Sequence, residues 1–498
     1  MLTKKVFLNA LASFLDYGAR VGVVLVTTPI VIHMLGASLF GVWQMLTRMG
    51  EHLAPSDGRA SDALRWIIAE KQADSEAHAK RRALASALIV WTRFLPFFLL
   101  LGAALAWLSP RITNVAPEHY TVVRLAMGLV VVSTMFSTLK TFSGGVLFGQ
   151  NLAHKNMGVM AGTTLLGGVL IVIAIHMGWG LPGLAMATAI SMALGAIVSY
   201  RVAKRHVPWY GLEKPAPDEV KRTLRLSGWF VAWTFVENAL IGADIMVLGY
   251  VASSGLVARY VVTAYGFQTI TMVILTSIAA AMPGLGSVLS RGEVEKARLL
   301  RDETITYTWL LGMIVGATIL LCNPSFVRLW VGPGQYAGDL ENLMIVVVTL
   351  QLVLIRVDAT IINLALDMRK KVFLGAGAAI FSIALSILLI PNFGIAGLCA
   401  ALIAGRLVLS VAYPRIVHGF LQDGRKGRWR QWTRILVTAI AMSSIAWISG
   451  RHLIIKSWME LLVMATASVS ISAGIVYWIA LTDNQRTVLA GRVRSLID

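Results

Sequence analysis

Gly180-Leu-Pro-Gly183-Leu184-Ala-Met-Ala187 returns 214 residues later as Gly394-Ile-Ala-Gly397-Leu398-Cys-Ala-Ala401. Leu139-Lys140 and His154-Lys155 return as Ile355-Arg356 and Lys370-Lys371, at an offset of 216. Leu35-Gly36-Ala37-Ser38 resembles Val251-Ala252-Ser253-Ser254 at the same offset. Three matches at nearly one spacing make coincidence a poor explanation. The chain repeats itself.

What repeats is set by hydropathy. The 498 residues are 57% hydrophobic and 14% charged, against about a quarter charged in soluble proteins. Apolar runs near 20 residues, enough to cross roughly 30 Å of hydrocarbon, recur along the whole length. About fourteen spans are expected. Six lie in the first half, at 7–34, 39–62, 84–108, 120–148, 156–177 and 181–203. Six more follow at 224–250, 256–288, 304–322, 340–366, 371–390 and 393–414, with two extra helices at 433–450 and 457–480. The second is the least regular, because Glu51, His52, Asp57, Arg59 and Asp62 crowd its latter half.

The expected fold is therefore an all-α polytopic membrane protein. It has an N-terminal six-helix half (1–206), a linker (207–223), a C-terminal six-helix half (224–418), and two further helices with a tail (419–498). A repeat of an even number of helices gives both halves the same topology. They then relate by an axis along the membrane normal, with a binding site at their interface.

Loop charges set orientation. With the N-terminus inside, the outer loops hold only Arg111, Arg328, Arg451 and Lys456, while most of the 44 Lys and Arg fall in inner segments. That bias places both termini in the cytoplasm. It also accounts for the net charge of +19 without nucleic acid. Lys4 and Lys5 lead directly into a long first span, so no cleavable signal peptide is expected. Cys322 and Cys399 both sit in apolar spans and read as inert core thiols. No metal spacing, HExxH or Walker loop occurs. No cofactor is expected, and energy for transport would come from a gradient or the membrane potential.

Ionisable residues inside spans carry the functional signal, because an Arg at a helix centre costs roughly 2.5–3.5 kcal/mol on insertion scales. Asp16 and Arg20 share one helix face; they form either a neutralised pair or a cavity wall that binds an anion. Arg48 and Glu51, three apart, give the same two readings. Pro55, Asp57 and Gly58 then interrupt the helix, and Arg59 is placed to snorkel. Glu237 and Asp244, seven apart, read as one face of the seventh span. Glu237 matches Arg20 across the repeat, as a gate, a coupling-ion site or a structural ion pair. Lys140 and Arg356 occupy matched positions, a basic surface common to both halves. Asp358 points away from Arg356. Arg406 and Arg93 read as structurally paired. Arg20, Arg48, Arg356 and Lys140 are thus the candidates for binding an anionic cargo. Asp16, Glu51, Glu237 and Asp244 are candidates for a gate or ion coupling.

Nearly the whole chain resembles the Wzx-type polysaccharide flippases of the multidrug/oligosaccharidyl-lipid/polysaccharide exporter superfamily. The resemblance rests on Asn9-Ala10-Leu11, Pro29, Leu35-Gly36-Ala37 with Phe40-Gly41-Val42-Trp43, Asp57 to Leu64, and Ala69-Glu70. Met282-Pro283 and Arg291-Gly292-Glu293 extend it into the second half. Family members usually read Asp-x-Gly where this chain has Asp57-Gly58-Arg59. The resemblance implies a polyprenyl-diphosphate-linked oligosaccharide, moved between leaflets of the inner membrane by alternating access, for O-antigen, capsule or exopolysaccharide. Polymerase and chain-length proteins would be its partners, and the protein would not be an enzyme. Guanidinium groups suit a diphosphate, since they bind phosphate oxygens in a bidentate fork. A drug/cation antiporter of the same fold is the alternative, kept open by Asp16, Glu237 and Asp244. A membrane glycosyltransferase or polymerase fits less well, because the longest outer loop, near 323–339, is short for an active site.

Overall fold

The computed structural model describes residues 2–71, 76–150, 152–364, 368–421, 429–482 and 485–487. Every regular element among them is helical. In order these are α1 (Leu2–Leu53), a 3-10 turn (Ala54–Asp57), α2 (Ala60–Glu70), α3 (Ala77–Ile112) and α4 (Tyr120–Gly149). Next come α5 (Ala153–His176), α6 (Gly180–His206), α7 (Pro217–Ile241), α8 (Ala243–Val251) and α9 (Ser254–Ser290). The chain continues through α10 (Val294–Val331), α11 (Asp339–Leu364), α12 (Met368–Leu421), α13 (Trp429–His452) and α14 (Trp458–Ile475). Parts of the tenth expected span (365–366) and of the tail (488–498) lie outside the described residues, as do the side chains of Asn9, Ala10, Leu11, Met282 and Pro283.

Ten helices among the described residues are long and apolar enough to cross a membrane. Two of them, Ser13–Asp57 with 45 residues and Arg369–Leu421 with 53, would run roughly 68 and 80 Å at 1.5 Å per residue. Each exceeds twice the hydrocarbon thickness of about 30 Å, so each must cross twice. The break falls at Gly36 (φ 83°, ψ 159°) and Gly394 (φ 53°, ψ −129°), backbone settings that a side chain disfavours. The bent pair α7–α8 and the 37-residue α9 supply the remaining passes. The arrangement of about fourteen spans is met.

The repeat is conformational as well as textual. Gly180 (φ 55°) opens α6 as Gly394 (φ 53°) opens the second pass of α12. Three residues on, a Cβ at Gly183 would strike Trp179, and one at Gly397 would strike the Leu389 carbonyl and crowd Phe393, the position matching Trp179.

By packing, the chain divides into residues 1–258 and 259–498. The second half is expected to begin at 224, and by packing α7 and α8 fall in the first unit. In that unit α2, α3 and α4 bury Leu64, Ile68, Leu84, Val90 and Val146 against Val207 and Trp209 of the linker. The linker is strapped down further. Arg81 Nε donates to the Trp209 carbonyl at 3.0 Å, Tyr210 shares a 2.9 Å hydrogen bond with Ser143, and Arg82 Nε reaches Glu219 at 3.1 Å. Burial pushes the Tyr210 hydroxyl above its ordinary pKa. In the second unit α10 is central: Leu310, Met313, Ala317 and Leu320 pack on Ile435, Met442 and Ala446 of α13 and on Val476 and Ala480.

Candidate cargo-binding site

Asp16 and Arg20 lie one turn apart on α1, and an Arg20 Nη2–Asp16 Oδ2 distance of 2.9 Å joins them. Asp16 is buried, while the Arg20 side chain is half-exposed. The salt bridge uses one carboxylate oxygen; Oδ1 is buried and accepts no hydrogen bond. Lys140, from α4, lies within electrostatic reach of both Arg20 and Asp16. Its ammonium contacts the Met192 sulfur of α6 at 3.6 Å. Nearby, the Ser13 hydroxyl meets the Met157 sulfur of α5 at 3.3 Å. One carboxylate thus lies bonded to Arg20 and within electrostatic reach of Lys140, two cations to one anion where charge is costly. Such a group is stabilised by an anion that supplies several acceptor oxygens.

Arg48 and Glu51 pair at 2.6 Å. Asn238 of α7 donates to the Glu51 carbonyl at 2.9 Å, which ties this turn of α1 to the helix that carries Glu237. His52 Nδ1 lies 2.7 Å from the Arg48 carbonyl, and its Nε2 is buried without a partner. Glu237 and Asp244 do not share a helix face. The span breaks at Gly242 and bends by 50°, so Glu237 ends up on α7 and Asp244 is buried in the first turn of α8. A glycine within an apolar run carries no outward sign that it bends the helix.

The polar interruption after α1 is an ordered turn. Gly58 (φ 82°) and Arg59 (φ 46°) are both left-handed. Asp57 locks them, accepting the Arg59 N–H at 2.8 Å on one oxygen and the Thr138 hydroxyl of α4 at 2.7 Å on the other. The Arg59 guanidinium pairs with Asp62. The backbone therefore bends at the displaced glycine and at the arginine beside it.

In the second unit Arg356 is half-buried on α11 and within electrostatic reach of Tyr413. Asp358 turns to a residue that sequence reasoning missed. Arg301 of α10 binds it in a fork, Nε to Oδ1 at 2.9 Å and Nη2 to Oδ2 at 3.1 Å, with both side chains almost wholly buried. The basic run 291–301 read as a loop before a span at 304, but α10 begins at Val294. Alongside is a cavity of about 200 Å³ lined by Asp302, Trp309, Gln351 and Ser410 among others. Gln351 donates to the Ile403 carbonyl and to Ser410, both at 3.2 Å, and its Oε1 is buried without a partner. Arg406 is buried too, and donates to the Val348 carbonyl at 3.4 Å.

No family model and no curated protein matches the sequence. Solved structures do match in fold. The lipid II flippase MurJ, in an inward closed conformation, superposes with a TM-score of 0.71 at 11% identity, over 95% of this chain and 99% of that one. An inward-facing multidrug resistance MATE family transporter of the MOP superfamily gives 0.64 at 14% identity, over 82% and 96%. The MATE transporter VcmN of Vibrio cholerae, in its bent form, gives 0.59 at 17%, over 84% and 97%. At these identities the likeness is one of fold, and the chain shares the fold of these transporters over most of its length.

Proposed function

We propose that the protein is a flippase for a polyprenyl-diphosphate-linked oligosaccharide, working by alternating access in surface polysaccharide synthesis. The observation that carries this reading is the Asp16–Arg20–Lys140 cluster: two cations over one half-used carboxylate at membrane depth. A diphosphate offers the charge and the acceptor oxygens the cluster lacks. Arg48 and Arg356 are the further basic candidates, and Arg356 holds the repeat position of Lys140. The extent of the fold match supports the same choice, since the lipid II flippase accounts for 95% of the chain and the two MATE structures for 82% and 84%. The inner membrane is its location, both termini face the cytoplasm, and polymerase and chain-length proteins are its partners in the pathway. Arg20→Ala, Lys140→Ala and Arg356→Ala should each abolish surface glycan at normal protein level. Full export by all three would overturn the anionic-cargo reading. Arg20→Lys separates bidentate recognition from charge alone.

A second reading, a cation or drug antiporter, draws on the buried, unpartnered Oδ1 of Asp16. Drug resistance that disappears with Asp16→Asn, in cells whose surface glycan is unchanged, would favour it.

A further inference from the structure

The 54 residues of α12 cross the membrane twice, with the break at Gly394, so this helix begins and ends at the same membrane face. There its two ends enclose a groove of about 500 Å³. Arg369, Lys370, Phe373 and Leu374 line it from the start of the first pass, and Arg415 and Ile416 from the end of the second. Spacings of three and four residues keep the first set on one side of its helix.

The groove has a fixed floor. Tyr413 is buried and donates to the Lys371 carbonyl at 3.3 Å, which pins one pass to the other. Lys371 is buried as well, whereas Arg369, Lys370 and Arg415 are exposed. The lining holds three cations and, among the described residues, no carboxylate. Next to the cations the wall turns apolar. Phe373 is 77% exposed, and no large apolar side chain among the described residues is more so. Ile380 and Ile387 follow it at intervals of two helical turns, and both are exposed. From Phe373 to Ile387 the stripe runs about 21 Å at 1.5 Å per residue, enough to cross one leaflet of about 15 Å. At the 216-residue offset, Arg369 and Phe373 match Ala153 and Met157, so the groove is not a by-product of the repeat.

We propose that this groove holds an anionic phospholipid of the adjoining leaflet, with its phosphate among Arg369, Lys370 and Arg415 and an acyl chain along Phe373. Guanidinium forks suit phosphate oxygens, and basic pockets between spans take lipid headgroups. A free anion would use the cations and leave the apolar stripe bare; a lipid uses both. The assignment does not depend on what the protein transports.

Native mass spectrometry of the full chain in detergent, with added dioleoyl phosphatidylglycerol or dioleoyl phosphatidylcholine, tests this. Phosphatidylglycerol should bind more tightly. Arg369→Ala, Lys370→Ala and Arg415→Ala should each weaken it about fivefold, the worth of one cation at an anionic surface. The triple variant should bind the two lipids alike, and Phe373→Ser should weaken both. Changing Arg201, Lys204 and Arg205 to alanine removes the same charge from the end of α6 and should leave the preference intact. All the side chains changed are exposed, so every variant should elute as the parent does on size exclusion. The proposal fails if the groove triple variant keeps the preference, or if the α6 control loses it equally. Displacement of the lipid by an equal concentration of inorganic phosphate would make the groove a free-anion site and overturn it too. So would a polyprenyl phosphate that excludes phosphatidylglycerol through the same three cations, since the groove would then be a dock for cargo.

Discussion

Arg301 and Asp358 meet through two parallel hydrogen bonds, 2.9 and 3.1 Å long, that join α10 to α11 where both side chains are almost wholly buried. Breaking such a pair leaves one charge uncompensated, at a cost of about 3–5 kcal/mol. Arg301→Ala and Asp358→Ala should each lower thermal stability in detergent sharply. The double change Arg301→Met with Asp358→Leu should recover most of the loss, because two apolar groups need no partner. Equal loss in single and double variants would mean that packing, and not charge, dominates the site.

The Asp57 carboxylate uses both oxygens to hold the left-handed pair Gly58–Arg59 against α4. Thr138→Val removes one of the two bonds and should cost about 1 kcal/mol. Asp57→Ala removes both and should cost more, while the double variant should be no worse than Asp57→Ala alone. A double-mutant cycle on unfolding temperature reads this coupling.

Gly36 and Gly394 hold backbone settings reserved for glycine. Alanine at either should cost about 1–3 kcal/mol, seen as less monodisperse protein on size exclusion. Gly377→Ala is the control: it lies within α12 and a Cβ there meets nothing within 4 Å, so it should be neutral or slightly stabilising.

Tyr210 docks the linker on Ser143, and its raised pKa has a direction that can be checked. The docked form disfavours the phenolate. Its stability contribution is complete below the ordinary value of 10.0 and is lost as pH climbs through the raised one. Protease cleavage within 207–216 should therefore accelerate above about pH 10. In Tyr210→Phe the basal rate should rise and that alkaline step should vanish.

Helix content, the repeat and its break points were legible because each depends on local properties. Apolar runs give spans, and glycine at matched positions gives turns. Gly36 and Gly180 fall between expected spans, and Gly394 falls at the first turn of the span expected at 393–414. The Asp16–Arg20 and Arg48–Glu51 pairs were legible for the same reason, being one turn apart. Arg301 was not, because its partner lies 57 residues away and its neighbours in sequence, Arg298, Asp302 and Glu303, are themselves charged. Nor was the break at Gly242, whose immediate neighbours Ile241 and Ala243 are apolar. The proximity of Lys140 to Arg20 depends on how α1 and α4 are brought together, which no local pattern encodes.

The contrast between near and distant ion pairs also has a consequence in time. Asp16–Arg20, Arg48–Glu51 and Arg59–Asp62 each close within a single turn, so each cation has its carboxylate within three or four residues of synthesis. Arg301 waits for Asp358, 57 residues later, which at about 5–20 residues per second is roughly 3–11 s of synthesis. During that interval the Arg301 guanidinium lacks the carboxylate that binds it in a fork, although Asp302, 3.6 Å away in the finished protein, follows it directly in the chain. Insertion of α10 and α11 as a pair, rather than one after the other, would shelter that charge from lipid throughout.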